Sequence, residues 1–263
     1  MLTKSLICVT GLPHAGSTVL CQLLGQHAQL YSPGSPSPLC PMLLELRQSL
    51  SANPILQSQI NQSQINLDSA TVHRRLLAAF QGWINGWFAE VEQEWVIDPH
   101  GDWLRHLELL QLLDPNCRVL VCVRELGQIW GAIESQHQKT LLFDLPDQLA
   151  KLTPIERADR LFAREGEIGK SIRSLEAVQD RSAALQSRLY YVVYEHLMSD
   201  PKDAIQGIYE WLELPLAKPD LQLLDSAPLE LHPPYPVPPR ITASLQQNFR
   251  WFYEMFYPGV LEA

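Results

Sequence analysis

The sequence predicts a three-layer α/β fold, a central parallel sheet with helices on both faces, and three observations carry the prediction. Continuously apolar runs at residues 5–10, 118–123 and 189–193 read as strands covered on both sides. Helix-period segments separate them, which makes the connections right-handed crossovers. The first run leads directly into Gly11-Leu12-Pro13-His14-Ala15-Gly16-Ser17-Thr18, a glycine-framed loop opening a helix.

The elements follow in order. Val19, Leu20, Leu23, Leu24 and His27 recur on neighbouring turns, giving the first helix. Four prolines in residues 31–41 exclude regular structure there. Leu43, Leu44, Leu46 and Leu50 suggest the next helix, and residues 57–66 repeat Gln-Ser-Gln-Ile-Asn as an exposed polar connection. Leu76, Leu77, Phe80, Trp83, Ile84, Trp87 and Phe88 predict one long buried helix over 68–92, a core stripe and not a cofactor box. Trp95-Val96-Ile97 is a short strand, and 102–113 a leucine-rich helix. Leu126, Ile129, Trp130 and Ile133 mark the helix after the 118–123 strand. Residues 141–152 read as irregular, 155–178 as one helix, and Asp200-Pro201 as the N-cap and first turn of another. Six prolines in residues 228–239 predict an extended arm, and 241–256 a single aromatic-rich closing helix. The expected organisation is one domain over 1–263, with 141–185 as a helical insertion and 228–240 as the arm.

The loop is built for a phosphate-like anion. Gly11 and Gly16 let the backbone bend, and the freed amides at the helix N-terminus point at the ligand. Ser17 stands where a nucleotide triphosphatase carries the lysine that reaches the β/γ-phosphates, so ATP or GTP hydrolysis is disfavoured. The competing reading is a chance turn before a capped helix, since Ser and Thr are ordinary N-caps.

The bulk numbers exclude several classes. A formal charge of −9 and a pI near 5.3 argue against a nucleic-acid partner. No apolar run approaches the ~18 residues of a membrane span, and no signal-peptide pattern opens the chain. Cys8, Cys21, Cys40, Cys117 and Cys122 form an odd set without Cys-x-x-Cys, which reads as reduced thiols filling the core of a cytoplasmic protein, with no metal site. No Gly-x-Ser-x-Gly or His-Glu-x-x-His supports a hydrolase or metalloprotease.

In parallel sheets ligands lie past the carboxyl ends of the strands. That edge receives the loop, Arg124 with Glu125, and Tyr194-Glu195. Arg124 is placed for a bidentate grip on a second phosphate, apart from the loop; the alternative is a surface ion pair with Glu125 or Asp102. Tyr194 either packs or stacks on a purine. For a general base the candidates are His100, after a strand and before a helix, and His14; a solvated loop histidine is the plainer reading of His100.

Four segments together resemble the sulfotransferase family, the enzymes using 3'-phosphoadenosine 5'-phosphosulfate (PAPS) on a P-loop NTPase-like fold. Residues 11–18 look like its 5'-phosphosulfate loop, usually Pro-Arg-Ser-Gly-(Ser/Thr)-Thr. Leu120-Val121-Cys122-Val123-Arg124-Glu125 is similar to its strand ending in the 3'-phosphate arginine. Tyr194-Glu195-His196-Leu197 with Asp200-Pro201 is similar to its Tyr-Glu-Asp-Leu segment beside the adenosine, and Trp211-Leu212-Glu213-Leu214-Pro215 continues it. The resemblance implies transfer of a sulfuryl group from PAPS to a hydroxyl or amine of a small-molecule or peptidyl acceptor, without a metal. It implies cofactor contacts from Pro13, His14, Ala15, Gly16, Ser17, Thr18, Arg124, Ala132, Tyr194 and Arg240, with 141–185 and the arm closing over the donor.

The chain departs from the pattern at four places. His14 replaces the loop's usual cation, and Ala132 stands where the family offers a serine, with Ser135 one turn on. Asp98-Pro99-His100 replaces an Asp-Lys pair, and Pro33-Gly34-Ser35 lacks the glutamate some relatives keep. A nucleotide-binding pseudoenzyme is therefore the second reading; a small-molecule kinase, which should need Mg²⁺ and the missing lysine, is the third.

Overall fold

The computed structural model describes residues 1–34, 36–55, 69–140, 146–221 and 235–261. The 57–66 repeat, Ser35, residues 141–145 of the expected insertion and 228–234 of the expected arm lie outside the described residues.

Five parallel strands form the sheet: β1 (Ser5–Gly11), β2 (Leu30–Tyr31), β3 (Trp95–Pro99), β4 (Arg118–Val123) and β5 (Leu189–Val193), in the order β2-β3-β1-β4-β5. Leu6, Ile7, Cys8 and Val9 of β1 and Val119 to Val123 of β4 are buried, as strands covered by helices on both faces require. The chain moves from β1 to one side for β2 and β3, then crosses to the other for β4 and β5. The order therefore reverses between β1 and β4, and a crevice opens beyond their carboxyl ends. Register there is tight: Gly11 pairs with Cys122, and Leu12 N–H donates to the Cys122 carbonyl at 2.9 Å. A Cβ on Gly11, whose φ is +131°, would stand 2.1 Å from that carbonyl oxygen.

The helices are α1 (Ser17–Leu24), α2 (Leu39–Ser51), α3 (Ser69–Trp87), α4 (Leu107–Leu113), α5 (Leu126–Lys139), α6 (Pro154–Phe162), α7 (Glu167–Gln179), α8 (Tyr194–Ser199), α9 (Pro201–Trp211), α10 (Pro239–Asn248) and α11 (Arg250–Phe256), besides single turns. The apolar stripe of α3 faces inward through Phe80 and Ile84, while Trp87 is exposed. All five cysteines are buried. Among the described residues no helix is long and apolar enough to cross a membrane.

Three expected helices are broken. The 102–113 helix begins as a 3₁₀ turn, Gly101–Arg105, because Thr10 Oγ1 takes the Leu104 amide and His100 Nδ1 takes the Asp102 amide. The 155–178 helix divides at Ala163 to Gly166: Cβ atoms on Gly166 and Gly169 would meet the carbonyls of Leu161 and Ala163 at 2.3 and 2.0 Å, so α7 restarts pressed against the end of α6. The closing helix breaks at Phe249, where φ is −123° and ψ 38°. Strand β2, only two residues long, lay below the reach of periodicity.

Candidate functional site

The loop after β1 is a nest of amides. His14 has φ +56° and Gly16 φ +81°, and two left-handed residues in so short a turn aim successive N–H groups to one side. Histidine is among the non-glycine residues that accept this conformation. Gly16 caps α1 with no side-chain hydrogen bond, and the first turn of α1 holds no acidic residue, so the positive end of the helix is uncompensated. Glycine is required at 16 twice over, since a Cβ there would lie 2.6 Å from the Tyr194 ring.

Arg124 leaves β4 beside this nest and is 2% exposed. Its Nη1 donates to the His14 carbonyl at 2.9 Å, its guanidinium carbon lies 4.0 Å from the centre of the Tyr194 ring, and its Nε has no partner among the described residues. Nest and guanidinium thus adjoin, where the sequence suggested two separated grips. Nor is Arg124 a surface ion pair: Glu125 turns away to cap α5 through the Gln128 amide at 2.8 Å. Tyr194 is itself buried, its ring sandwiched between Gly16 and Arg124. Burial, then the charge of Arg124 and of His137, holds the His14 imidazole below its ordinary pKa.

A cavity of about 320 Å³ opens over the nest. Pro13, His14, Ser17 and Thr18 line it from the loop side, and His100 from the turn after β3; Ala15 is buried behind the loop. His100 is fixed by its backbone amide on the Val9 carbonyl at 2.9 Å. Its Nδ1 accepts the Asp102 amide at 3.2 Å, which leaves the proton of the neutral ring on Nε2; Asp102 Oδ2 is 3.8 Å from Nδ1. Asp102 is also paired with Arg105 at 3.1 Å.

Among the lining residues that sequence reasoning did not single out are four with polar side chains: Thr10, Arg105, Glu167 and Ser171. Thr10 ties the turn to β1, its hydroxyl donating to the Gly101 carbonyl at 2.9 Å. Glu167 and Ser171 lie i,i+4 on α7, so their shared face was legible once Gly166 had been read as a helix start. Below His100, Asp98 is fully buried, accepts the Trp103 indole N–H at Oδ2 and leaves Oδ1 without a partner among the described residues; burial raises its pKa.

Arg124, Tyr194, Ala132 and Arg240 are not among the residues lining this cavity. Arg240, in the first turn of α10, lines a separate cavity of about 530 Å³ with Arg164 and Arg173. Ala132 is a buried methyl on α5. Its neighbour Gly131 receives Tyr235 of the arm, whose Cβ would sit 2.4 Å from a Cβ placed there. Gln128 fastens the Tyr235 backbone at both N–H and C=O, at 2.7 and 3.1 Å, and the Tyr235 ring centre lies 5.9 Å from the Arg124 guanidinium carbon.

Comparison with solved structures returns the same architecture. A sulfotransferase from Alicyclobacillus acidocaldarius matches with a TM-score of 0.57 at 13% identity, covering 95% of this chain and 92% of that one. The sulfotransferase domain of the Synechococcus PCC 7002 olefin synthase gives 0.52 at 20% identity, covering 95% of each chain. A sulfotransferase from Mycobacterium avium gives 0.53 at 17% identity, covering 98% of this chain and 78% of that one. Comparison with curated protein sequences gives no match. At such identities the structural likeness speaks for the fold alone. The sequence itself goes further, because the model of the sulfotransferase family matches residues 7–218, from within β1 to beyond β5. With most of its length inside that match, this chain belongs to the sulfotransferase family.

Proposed function

We propose that the chain transfers a sulfuryl group from 3'-phosphoadenosine 5'-phosphosulfate to a hydroxyl or amine of a small-molecule or peptidyl acceptor. The observation that carries this reading is the buried guanidinium of Arg124 docked against a lysine-free amide nest. The residues fit a doubly anionic nucleotide: left-handed backbone at His14 and Gly16 turns the loop amides outward, and the Nε of Arg124, without a partner among the described residues, keeps a donor in reserve. When bound, the nucleotide supplies an activated sulfuryl group on a phosphate leaving group.

The amides at 14–18 and the Ser17 and Thr18 hydroxyls hold the phosphosulfate, oriented by the N-terminus of α1. Arg124 takes the 3'-phosphate. Tyr194 acts through Arg124, as the face against which the guanidinium is pressed. As held, His100 presents Nε2–H and is a donor toward charge on the leaving oxygen. It becomes a base for the acceptor proton in the other tautomer, with the ring proton moved from Nε2 to Nδ1 and donated to the Asp102 carboxylate, which Arg105 keeps in place. Glu167 supplies a second carboxylate to the same cavity.

Thermal unfolding with adenosine 3',5'-bisphosphate, ATP and GTP, each with and without Mg²⁺, tests the reading. The bisphosphate should stabilise the chain without Mg²⁺, by ~2.7 kcal/mol at a hundred times its dissociation constant. A response to ATP with Mg²⁺ alone would point to a kinase. Binding with no transfer of labelled sulfuryl to a broad acceptor panel would identify a pseudoenzyme, whereas transfer abolished in His100→Ala places the chemistry at that ring.

A further inference from the structure

Val123 and Val193 are register partners at the ends of β4 and β5, so Arg124-Glu125 and Tyr194-Glu195 leave the sheet side by side. The first members of the two pairs stack, with 4.0 Å between the guanidinium carbon and the ring centre. The second members are joined as well, the Glu125 amide donating to Glu195 Oε1 at 3.1 Å. Both carboxylates are then held by one helix from the far end of the sequence. Tyr253 donates its hydroxyl to Glu125 Oε1, and Tyr257 donates to Glu195 Oε2, each at 2.7 Å.

Tyr253 and Tyr257 lie one turn apart around the end of α11, with ring centres 6.3 Å apart. The helix is seated independently of them: Phe252 is fully buried, and Phe256 packs on Tyr191 of β5 at 5.3 Å between ring centres. The two phenols therefore reach the carboxylates from a fixed frame. Burial and the adjacent carboxylates hold both phenols protonated, hence donors, far above neutrality. Without them Glu125 and Glu195 would each lose a donor while half-buried, and the backbone link between the two strand ends would loosen.

From this constellation we infer that Tyr253 and Tyr257 are positioning residues for the anion grip, setting the spacing between Arg124 and Tyr194 through Glu125 and Glu195. The inference rests on the reading of Arg124 as the 3'-phosphate ligand. It assigns the closing helix a part in nucleotide selectivity.

The test measures calorimetric affinities of the full chain and of Tyr253→Phe and Tyr257→Phe for two probes, adenosine 3',5'-bisphosphate and adenosine 5'-monophosphate. Phenylalanine keeps the ring packing and removes only the donor. Each variant should lose about tenfold in affinity for the bisphosphate, the scale of one hydrogen bond to a charged group, and little for the monophosphate. Equal loss for both probes, or no loss for either, overturns the inference and spares the proposed function. A parent chain that does not prefer the bisphosphate overturns the reading of Arg124 and the inference with it. If Tyr253→Phe does not fold, Tyr257→Phe, at a half-buried position, decides alone.

Discussion

At the scale of single residues, His14 concentrates the unusual features of the site. It is a non-glycine residue in left-handed backbone, its carbonyl is tied to Arg124, and its ring is kept neutral by burial and by that same cation. A bound phosphosulfate would bring negative oxygens to the ring and favour its charged form, so binding would take up a proton. Affinity for adenosine 3',5'-bisphosphate should therefore strengthen as pH falls through the bound-state value, levelling off only below the depressed free-state one. Calorimetry in buffers of different ionisation enthalpy would report the uptake; a heat independent of buffer near pH 6 would remove His14 from the grip. Gly11 and Gly16 were legible from sequence because a strand ending in a turn demands them, and the place of Arg124 because it directly follows an apolar strand. The partners of Arg124 were not. That Tyr194 would face the guanidinium, and that Nη1 would reach the His14 carbonyl, depends on β1, β4 and β5 lying in register, which no local pattern encodes.

At the scale of elements, α5 organises the neighbourhood of the site. Its first residues follow Arg124, its glycine face takes Tyr235, and its far end holds α6 through a buried ion pair. Arg157 Nε donates to Glu134 Oε2 at 2.9 Å, Nη2 to Oε1, and Nη1 to the Leu152 carbonyl. With side chains only 6% and 8% exposed, neither charge tolerates loss of the other. Glu134→Leu or Arg157→Met alone should cost ~3–5 kcal/mol in urea unfolding, while the two together should cost far less. A double variant as unstable as the sum of the singles would show that the pair is not the joint. The apolar stripes of the helices were readable from periodicity; the 3₁₀ start before α4 was not, because a tertiary partner captured an amide. Thr10 takes the Leu104 amide, an interaction between residues 94 positions apart. The glycines at 166 and 169 were a signal in plain view, and they belong with the end of α6 and not with a continuous helix.

At the scale of the molecule, the topology places the reversal of strand order where the glycine loop and the arginine emerge. The fold class followed from sequence because strands buried on both faces and helices with one apolar stripe leave few arrangements open. All five thiols are buried, and burial raises Cys21 and Cys117 to about 12 and Cys8 well above its ordinary value. The native chain at pH 8 should accordingly displace no thiolate from a disulfide reagent, whereas in denaturant its five thiols should displace five equivalents of the reagent's thiolate. Rapid native labelling would mean that the core opens on the timescale of the reaction. The hydroxyls of Tyr253 and Tyr257 on the glutamates behind Arg124 and Tyr194 carry a consequence for biosynthesis. A nascent polypeptide halted before those tyrosines could already assemble all five described strands yet would present its arginine unbraced, so the inferred discrimination among nucleotides would await the emergence of α11.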